Sequence, residues 1–504
     1  WTMSWDHVLG VASVLTEHTG IQFTGGHPSG SGVALEGLSD QRVLVLVDGV
    51  PLYGRISGGL DLSRIPASAV ERVEVVKGPQ STLYGNEAMG GVVNIITRGA
   101  VPEQSNAELR AVVGSDHRSD TDLFGTTRHG NFAATANLGH RFVERTPGIA
   151  GTLGAFTDRL DGLATARWTP TSSLALDGSA LVLNDRQRWR SGTENEFADN
   201  TQTNVHAGAI VTSGARRLSS TLSFSELNHL SRASQFPEPI AGTGDRQLQR
   251  LAQADLLYSQ RASSVVFDAG TQLRREYIMS TDARIDGGSR TLTSAEPYAQ
   301  AEWSNDRWSV VPGARLTWNE QWGTFLSPRV AARVQVSPDL TLRASVGRGF
   351  RAPDFKELYL DFTNDAAFYA VHGNTSLRPE HSDNLSVGAD WARDGLYGRA
   401  QLYVNQLHDF IETVPLPTSD GFAQYTYGNI DRATTRGAEL ETGLTYGALH
   451  TEAGYAYLDA RDLGSGGPLL GQPAHSARLL VGLPLPFGVQ GSATGVYTGR
   501  TPME

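Results

Sequence analysis

The sequence predicts an all-β transmembrane barrel preceded by a small α+β domain, and three observations carry that expectation. From about residue 105 onward, segments of about ten residues alternate apolar with polar or charged positions, with turn residues between them. Arg, Asp, Glu and Gln fill the alternate positions of many segments, more charge than a dry core accepts. Aromatic residues recur near segment ends, among them Trp303, Trp308, Trp318, Trp322, Tyr455 and Tyr457, where bilayer interfaces would hold them.

Composition narrows the alternatives. The chain has 504 residues, with 42 Lys+Arg against 53 Asp+Glu and a formal charge of −11. Only 39% of residues are hydrophobic, and the apolar runs are short; Val43–Val47 ends at Asp48. A bundle of membrane helices, each needing about 20 apolar residues, is excluded. The 9 Trp, 15 Tyr and 17 Phe, set in a regular alternation, argue against disorder. No cysteine is present, so disulfides, thiolate metal sites and cysteine nucleophiles are absent. The mild acidity argues against a nucleic-acid partner. Trp1 is not preceded by a charged or apolar leader pattern, so the start reads as a mature or truncated end.

The first hundred residues mix element types. A short helix is expected over Trp5–Glu17, followed by the glycine-rich stretch Gly25–Gly32. Val43–Val47 reads as a buried strand, Asp48–Gly59 as a glycine-rich turn, and Val73–Val76 and Gly90–Thr97 as two further strands. Residues 1–100 are therefore taken as one domain and 101–504 as the barrel.

In the second part the period is two. Leu385, Val387, Ala389 and Trp391 alternate with Ser386, Gly388 and Asp390; Arg393-Asp394-Gly395 makes a turn; Ala400, Leu402 and Val404 resume the alternation. Leu340, Leu342, Ala344 and Val346 repeat the pattern. Short turns alternate with long polar loops, expected at Ser191–Asn200, Ser231–Arg246 and Asp361–Ser376. A soluble sandwich is the competing architecture; a propeller is disfavoured because no blade-length repeat stands out.

An ordered series of motifs then resembles the plug domain of TonB-dependent outer-membrane receptors. It comprises Asp48-Gly49-Val50-Pro51-Leu52, Leu60–Pro66, Val70–Pro79, Ser81-Thr82-Leu83-Tyr84-Gly85 and Gly90–Thr97. Gly349-Phe350-Arg351-Ala352-Pro353, Gly373–Glu380 and Arg436-Gly437-Ala438-Glu439-Leu440 are similar to barrel signatures of the same family, in its cobalamin, colicin and siderophore branch. The resemblance implies a 22-stranded barrel with the plug inside its lumen. At about 20 residues per strand and loop, residues 101–504 supply about 19 strands. The sequence is accordingly expected to lack a TonB box before Trp1 and about three closing strands.

The same resemblance implies a function. A scarce metal chelate, of siderophore or cobalamin type, binds at extracellular loops and the plug apex. TonB of the inner-membrane TonB-ExbB-ExbD complex then supplies the energy for import. No cofactor and no resident metal is implied. The apices expected here are Gly25–Gly32 and Pro51–Gly59, with His27, Tyr53 and Arg55 as candidate ligand contacts. Two basic plug residues are expected to pair with two barrel glutamates. Lys77, Glu380 and Glu439 match, whereas the other basic position falls at Glu36, so that either one carboxyl is protonated or another cation, Arg72 or Arg351, supplies the charge. Haem is an alternative ligand, because Phe350–Pro353 and Asn374-Thr375-Ser376-Leu377 resemble the boxes of haem receptors and His372 lies between them.

Other classes fare worse. None of the 13 histidines precedes a Glu, and neither a Gly-x-Ser-x-Gly elbow nor a phosphate-binding Gly-x-x-x-x-Gly-Lys loop occurs. A passive porin needs no plug motifs.

Overall fold

The structure is a computed structural model that describes residues 15, 20–26, 30–56, 60–62, 65–99, 105–115, 117–146, 155–281, 284–364, 368–419, 421–469, 471–484 and 489–502. The helix expected over Trp5–Glu17 lies outside the described residues, apart from Leu15.

The N-terminal domain is built on two sheets. β1 (Ile21–Gly26) pairs antiparallel with β2 (Gly30–Leu35). A second sheet has the order β4-β3-β6-β5, formed by β3 (Val43–Val47), β4 (Val50–Pro51), β5 (Val70–Lys77) and β6 (Gly91–Thr97). β3 runs parallel to β6, and burial on both faces explains its unbroken Val-Leu-Val-Leu-Val run. Val43 and Val45 pack with Leu35, Leu62 and Ile95, while Leu44 and Leu46 pack on Ala88 and Val92. Between β3 and β4 the chain reverses through Asp48 and Gly49, with φ of 50° and 80°, as a tight hairpin requires. Asp48 also accepts from the Thr97 amide (2.9 Å) and hydroxyl (2.6 Å), tying that hairpin to β6.

The remaining strands form a closed barrel. Among the described residues it runs from Asn106–Gly114 to Gln490–Thr498, as nineteen wall strands plus the short hairpin Asp361–Asn364/Tyr369–His372. One rim carries tight turns; in one of them Asp394 and Gly395 both have positive φ (51° and 82°). The opposite rim carries the long connections, such as 352–379.

The alternation sorts the two faces. Leu385 (52% exposed) and Val387 (45%) point outward, whereas Glu380 (0%), Ser382 (0%) and Asn384 (3%) on the same strand point into the lumen. Trp303, Trp308, Trp318, Tyr455 and Tyr457 are exposed on the outside, but Trp322 turns inward and packs against Phe350 at 5.1 Å. No helix among the described residues is long and apolar enough to cross a membrane.

Two expected loops hold strand pairs: Asp361–Ser376 contains the short hairpin Asp361–Asn364/Tyr369–His372, and 191–200 lies in a longer one. Leu174–Ser191 and Glu194–Ser213 pair without interruption as far as Ser191 and Glu194, so the polar segment 191–200 is a tight hairpin. Asn195, Phe197, Ala198 and Asn200 are buried there, but the run mixes polar and charged residues without apolar alternation and so reads as loop.

The N-terminal domain sits in the lumen. Its helix α1 (Ser81–Tyr84) touches three wall strands: the Ser81 hydroxyl accepts from the Phe350 amide (3.0 Å), and Thr82 donates to the Ser327 carbonyl (2.9 Å). The plug and the polar inner wall thus share one interior.

Candidate functional site

Between the plug and the rim with long connections lies a cavity of about 570 Å³. Its floor is the plug segment Tyr53–Ile56, and wall strands hold that segment through its backbone. Gln202 Nε2 donates to the Tyr53 carbonyl (2.8 Å); Gln249 accepts from the Arg55 amide (3.1 Å) and donates to the Arg55 carbonyl (2.6 Å). Between them Gly54 has φ of 108°, and a Cβ there would come within 2.5 Å of Leu227. Only glycine lets the backbone lie this close to the wall.

The charged groups on the floor are ordered by one another. Arg55 donates to Glu87 at 2.8 Å. Burial works against the Glu87 carboxylate, yet Arg55 and Arg274 hold it below the usual carboxylate range. Glu87 adopts a left-handed backbone (φ 71°), a strained choice for this residue that aims it at Arg55. Burial, with Glu276 adding to it, raises the Tyr53 phenol well above its ordinary value, so it stays a hydrogen-bond donor.

The cavity roof includes helix α2 (Phe355–Tyr359), which starts in a reciprocal cap. Asp354 accepts from the Glu357 amide (2.7 Å) and Glu357 accepts from the Asp354 amide (2.8 Å). Trp189, Trp322, Phe355 and Tyr369 add aromatic surface to the lining. Cationic, anionic and aromatic groups therefore face one enclosed space.

Below the roof a buried ion network joins loop, wall and plug. Arg351 donates to both Glu357 oxygens (3.0 and 2.8 Å) and to both Glu380 oxygens (2.7 and 2.9 Å). Arg42 of the plug donates to the same Glu380 at 2.8 and 2.6 Å, and its guanidinium lies 3.7 Å from the Phe410 ring centre. A second plug anchor is the Lys77 ammonium, which donates to Glu439.

The cation that meets Glu380 from the plug is Arg42, a residue six on from Glu36 that the sequence reading does not single out. Glu36 instead accepts from Gln401 (3.1 Å) and Asn405 (3.2 Å) on the wall. Arg351 supplies the further cation, while Arg72 is spent at the surface on Glu71 and Glu74. Arg42 closes the 3-10 turn Asp40–Arg42 that leads into β3, and no local spacing marks it as the partner of Glu380.

Residues 7–92 match the TonB-dependent Receptor Plug Domain family, and residues 109–502 match the family described as TonB dependent receptor-like, beta-barrel. The chain belongs to the TonB-dependent receptor family. Its curated relatives include a vitamin B12 transporter BtuB of Photobacterium profundum, 24% identical over 93% of this chain and 76% of the relative. The ferrienterobactin receptor of Escherichia coli is 24% identical over 85% of this chain and 70% of the relative. Among solved structures, the ferric enterobactin receptor of Pseudomonas aeruginosa superposes with a TM-score of 0.81 at 18% identity, covering 98% of this chain and 84% of that one. The siderophore receptor PirA of Acinetobacter baumannii gives 0.78 at 16% identity, covering 98% and 84%.

The receptor is thus an outer-membrane β-barrel of a transporter family rather than an enzyme family. Of its expected ligand contacts, Tyr53 and Arg55 line the apical cavity. His27 lies outside the described residues. His372 is absent from the cavity lining, and both its ring nitrogens are engaged, Nδ1 with Asp361 and Nε2 with Gln424, each at 3.0 Å.

Proposed function

We propose that the receptor takes up a metal chelate of siderophore or cobalamin type, seating it in the apical cavity and importing it with energy relayed by TonB. The cavity carries this reading: its volume of about 570 Å³ falls in the range of small-molecule sites, and plug and wall both line it. A ligand there touches the plug floor at Tyr53 and Arg55 and the roof at Phe355 together, so its arrival is felt by the segment that must move. Arg55 suits an anionic donor group and Tyr53 an aromatic or macrocyclic surface. The relatives' names, vitamin B12 transporter and ferrienterobactin receptor, point to the same two ligand types. The haem alternative gains no donor from His372, whose nitrogens are both taken.

Titration of the purified receptor with ferric enterobactin and with cyanocobalamin tests the proposal, read through quenching of Trp189 and Trp322 in the cavity. Saturable quenching by one of them, weakened in Arg55→Ala, is expected. In liposomes the bound chelate should stay outside until TonB-ExbB-ExbD is supplied. Free flux of small solutes without quenching by either chelate would overturn the reading in favour of a porin.

A further inference from the structure

On the outer face of the barrel, directly behind the plug anchor, three potential metal ligands converge. His381 and His408 occupy opposed positions on the antiparallel strands Glu380–Arg393 and Leu396–Ser419. Their rings stack with centres 4.8 Å apart and planes 15° from parallel. Asp383, two residues beyond His381 and so on the same face, completes the group. One donor atom from each of the three lies within 4.8 Å of the others.

We infer that His381, Asp383 and His408 form a binding site for a divalent transition-metal ion of the zinc or copper type. The donor set decides the class. Two imidazoles and one carboxylate suit Zn²⁺ or Cu²⁺, whereas Ca²⁺ and Mg²⁺ take mostly oxygen ligands. The surroundings are those of a prepared site. Arg348 holds Asp383 through two parallel bonds (2.8 and 3.1 Å) and leaves further carboxylate lone pairs for an ion. Asp409, in a left-handed backbone (φ 54°), turns its carboxylate to 3.9 Å from His381 Nδ1 while accepting from Arg378. That nitrogen has little contact with solvent and makes no hydrogen bond.

Position adds a role. Along the strand, Leu385, Val387 and Trp391 make the outward apolar band, and Asp383 and His381 follow immediately toward the rim with long connections. The ion would sit where the wall leaves the apolar layer, linking two strands at the level of Glu380, whose side chain holds the plug from the inner face.

The test uses the untagged full chain in detergent, with Cu²⁺ as the probe. Electron paramagnetic resonance should show one strongly bound copper with coupling to two imidazole nitrogens. His381→Gln and His408→Gln should each remove one nitrogen and weaken binding at least tenfold, and Zn²⁺ should displace the copper. His372→Ala, in the loop hairpin, should leave the spectrum unchanged. Heat-modified electrophoretic mobility verifies that each variant keeps its barrel. A two-nitrogen signal that persists in the folded double variant, or wild-type protein without that signal, overturns the site.

Discussion

Arg42 Nη2 lies 2.6 Å from Glu380 Oε1, joining two residues 338 positions apart across the boundary between plug and wall. Glu380 is fully buried and Arg42 nearly so, and Arg351 shares the carboxylate. Removing one member leaves a buried charge uncompensated. Arg42→Ala should therefore cost about 3–5 kcal/mol of plug docking. Calorimetry of the detergent-solubilised receptor should show an earlier plug transition with the barrel transition unmoved. Arg42→Lys, which keeps charge but loses the paired geometry, should fall between the two. Exposed Arg72→Ala should leave the trace unchanged.

Glu36 should make plug docking depend on pH. Burial raises its carboxyl from 4.5 to about 7, although Asn405 and Gln401 donate to it. The docked plug therefore holds a proton that the undocked chain releases near pH 4.5. Stability from this group is complete below that pH and is lost as pH rises through 7, a loss of about 3 kcal/mol. Glu36→Gln imitates the neutral carboxyl and should flatten the dependence, leaving the variant more stable than wild type at pH 8. Equal slopes of unfolding free energy against pH would refute this.

Gly54→Ala should empty the apical cavity of its function without harming the barrel. The φ of 108° and the 2.5 Å approach to Leu227 leave no room for a methyl group. Displacing Tyr53–Ile56 from Gln202 and Gln249 should cost about 1–3 kcal/mol, seen as a 5- to 150-fold weaker chelate titration with unchanged heat-modified mobility. A variant that binds as tightly as wild type would show that the floor does not contact the ligand.

The outward band was legible because its period is simple. Val387→Arg, placing charge on lipid in mid-band, should cost about 2–4 kcal/mol of barrel stability, measured by folding into vesicles under urea. Alternation marked Leu385–Trp391 as a wall strand, and the unbroken Val43–Val47 run marked a strand buried on both faces. Where that physics lapses, reading failed. The polar, charged run where Leu174–Ser191 meets Glu194–Ser213 lacks apolar alternation and reads as a loop, although Asn195, Phe197 and Asn200 in it are buried. Arg42 escaped notice because its partner is set by how the plug seats in the wall, which no local spacing records. His381 and His408 meet through strand register, and a search for close-set ligands passes over them.

Helix α2 should separate ligand binding from plug retention. Asp354 caps the helix on the cavity side, and Asp354→Ala should cost it about 0.5–2 kcal/mol. Because the Asp354 side chain bonds only the Glu357 amide and leaves the Glu357 carboxylate on Arg351, that variant should bind chelate more weakly while the plug transition stays in place. Glu357 belongs to both systems: it completes the cap and accepts twice from Arg351, which in turn holds Glu380. Glu357→Gln should therefore weaken the titration and also shift the plug transition. Added chelate should move that transition in wild type but hardly in Glu357→Gln, because the path from roof to plug runs through this carboxylate. If chelate moves it equally in both, the coupling travels through the floor at Tyr53 and Arg55 instead.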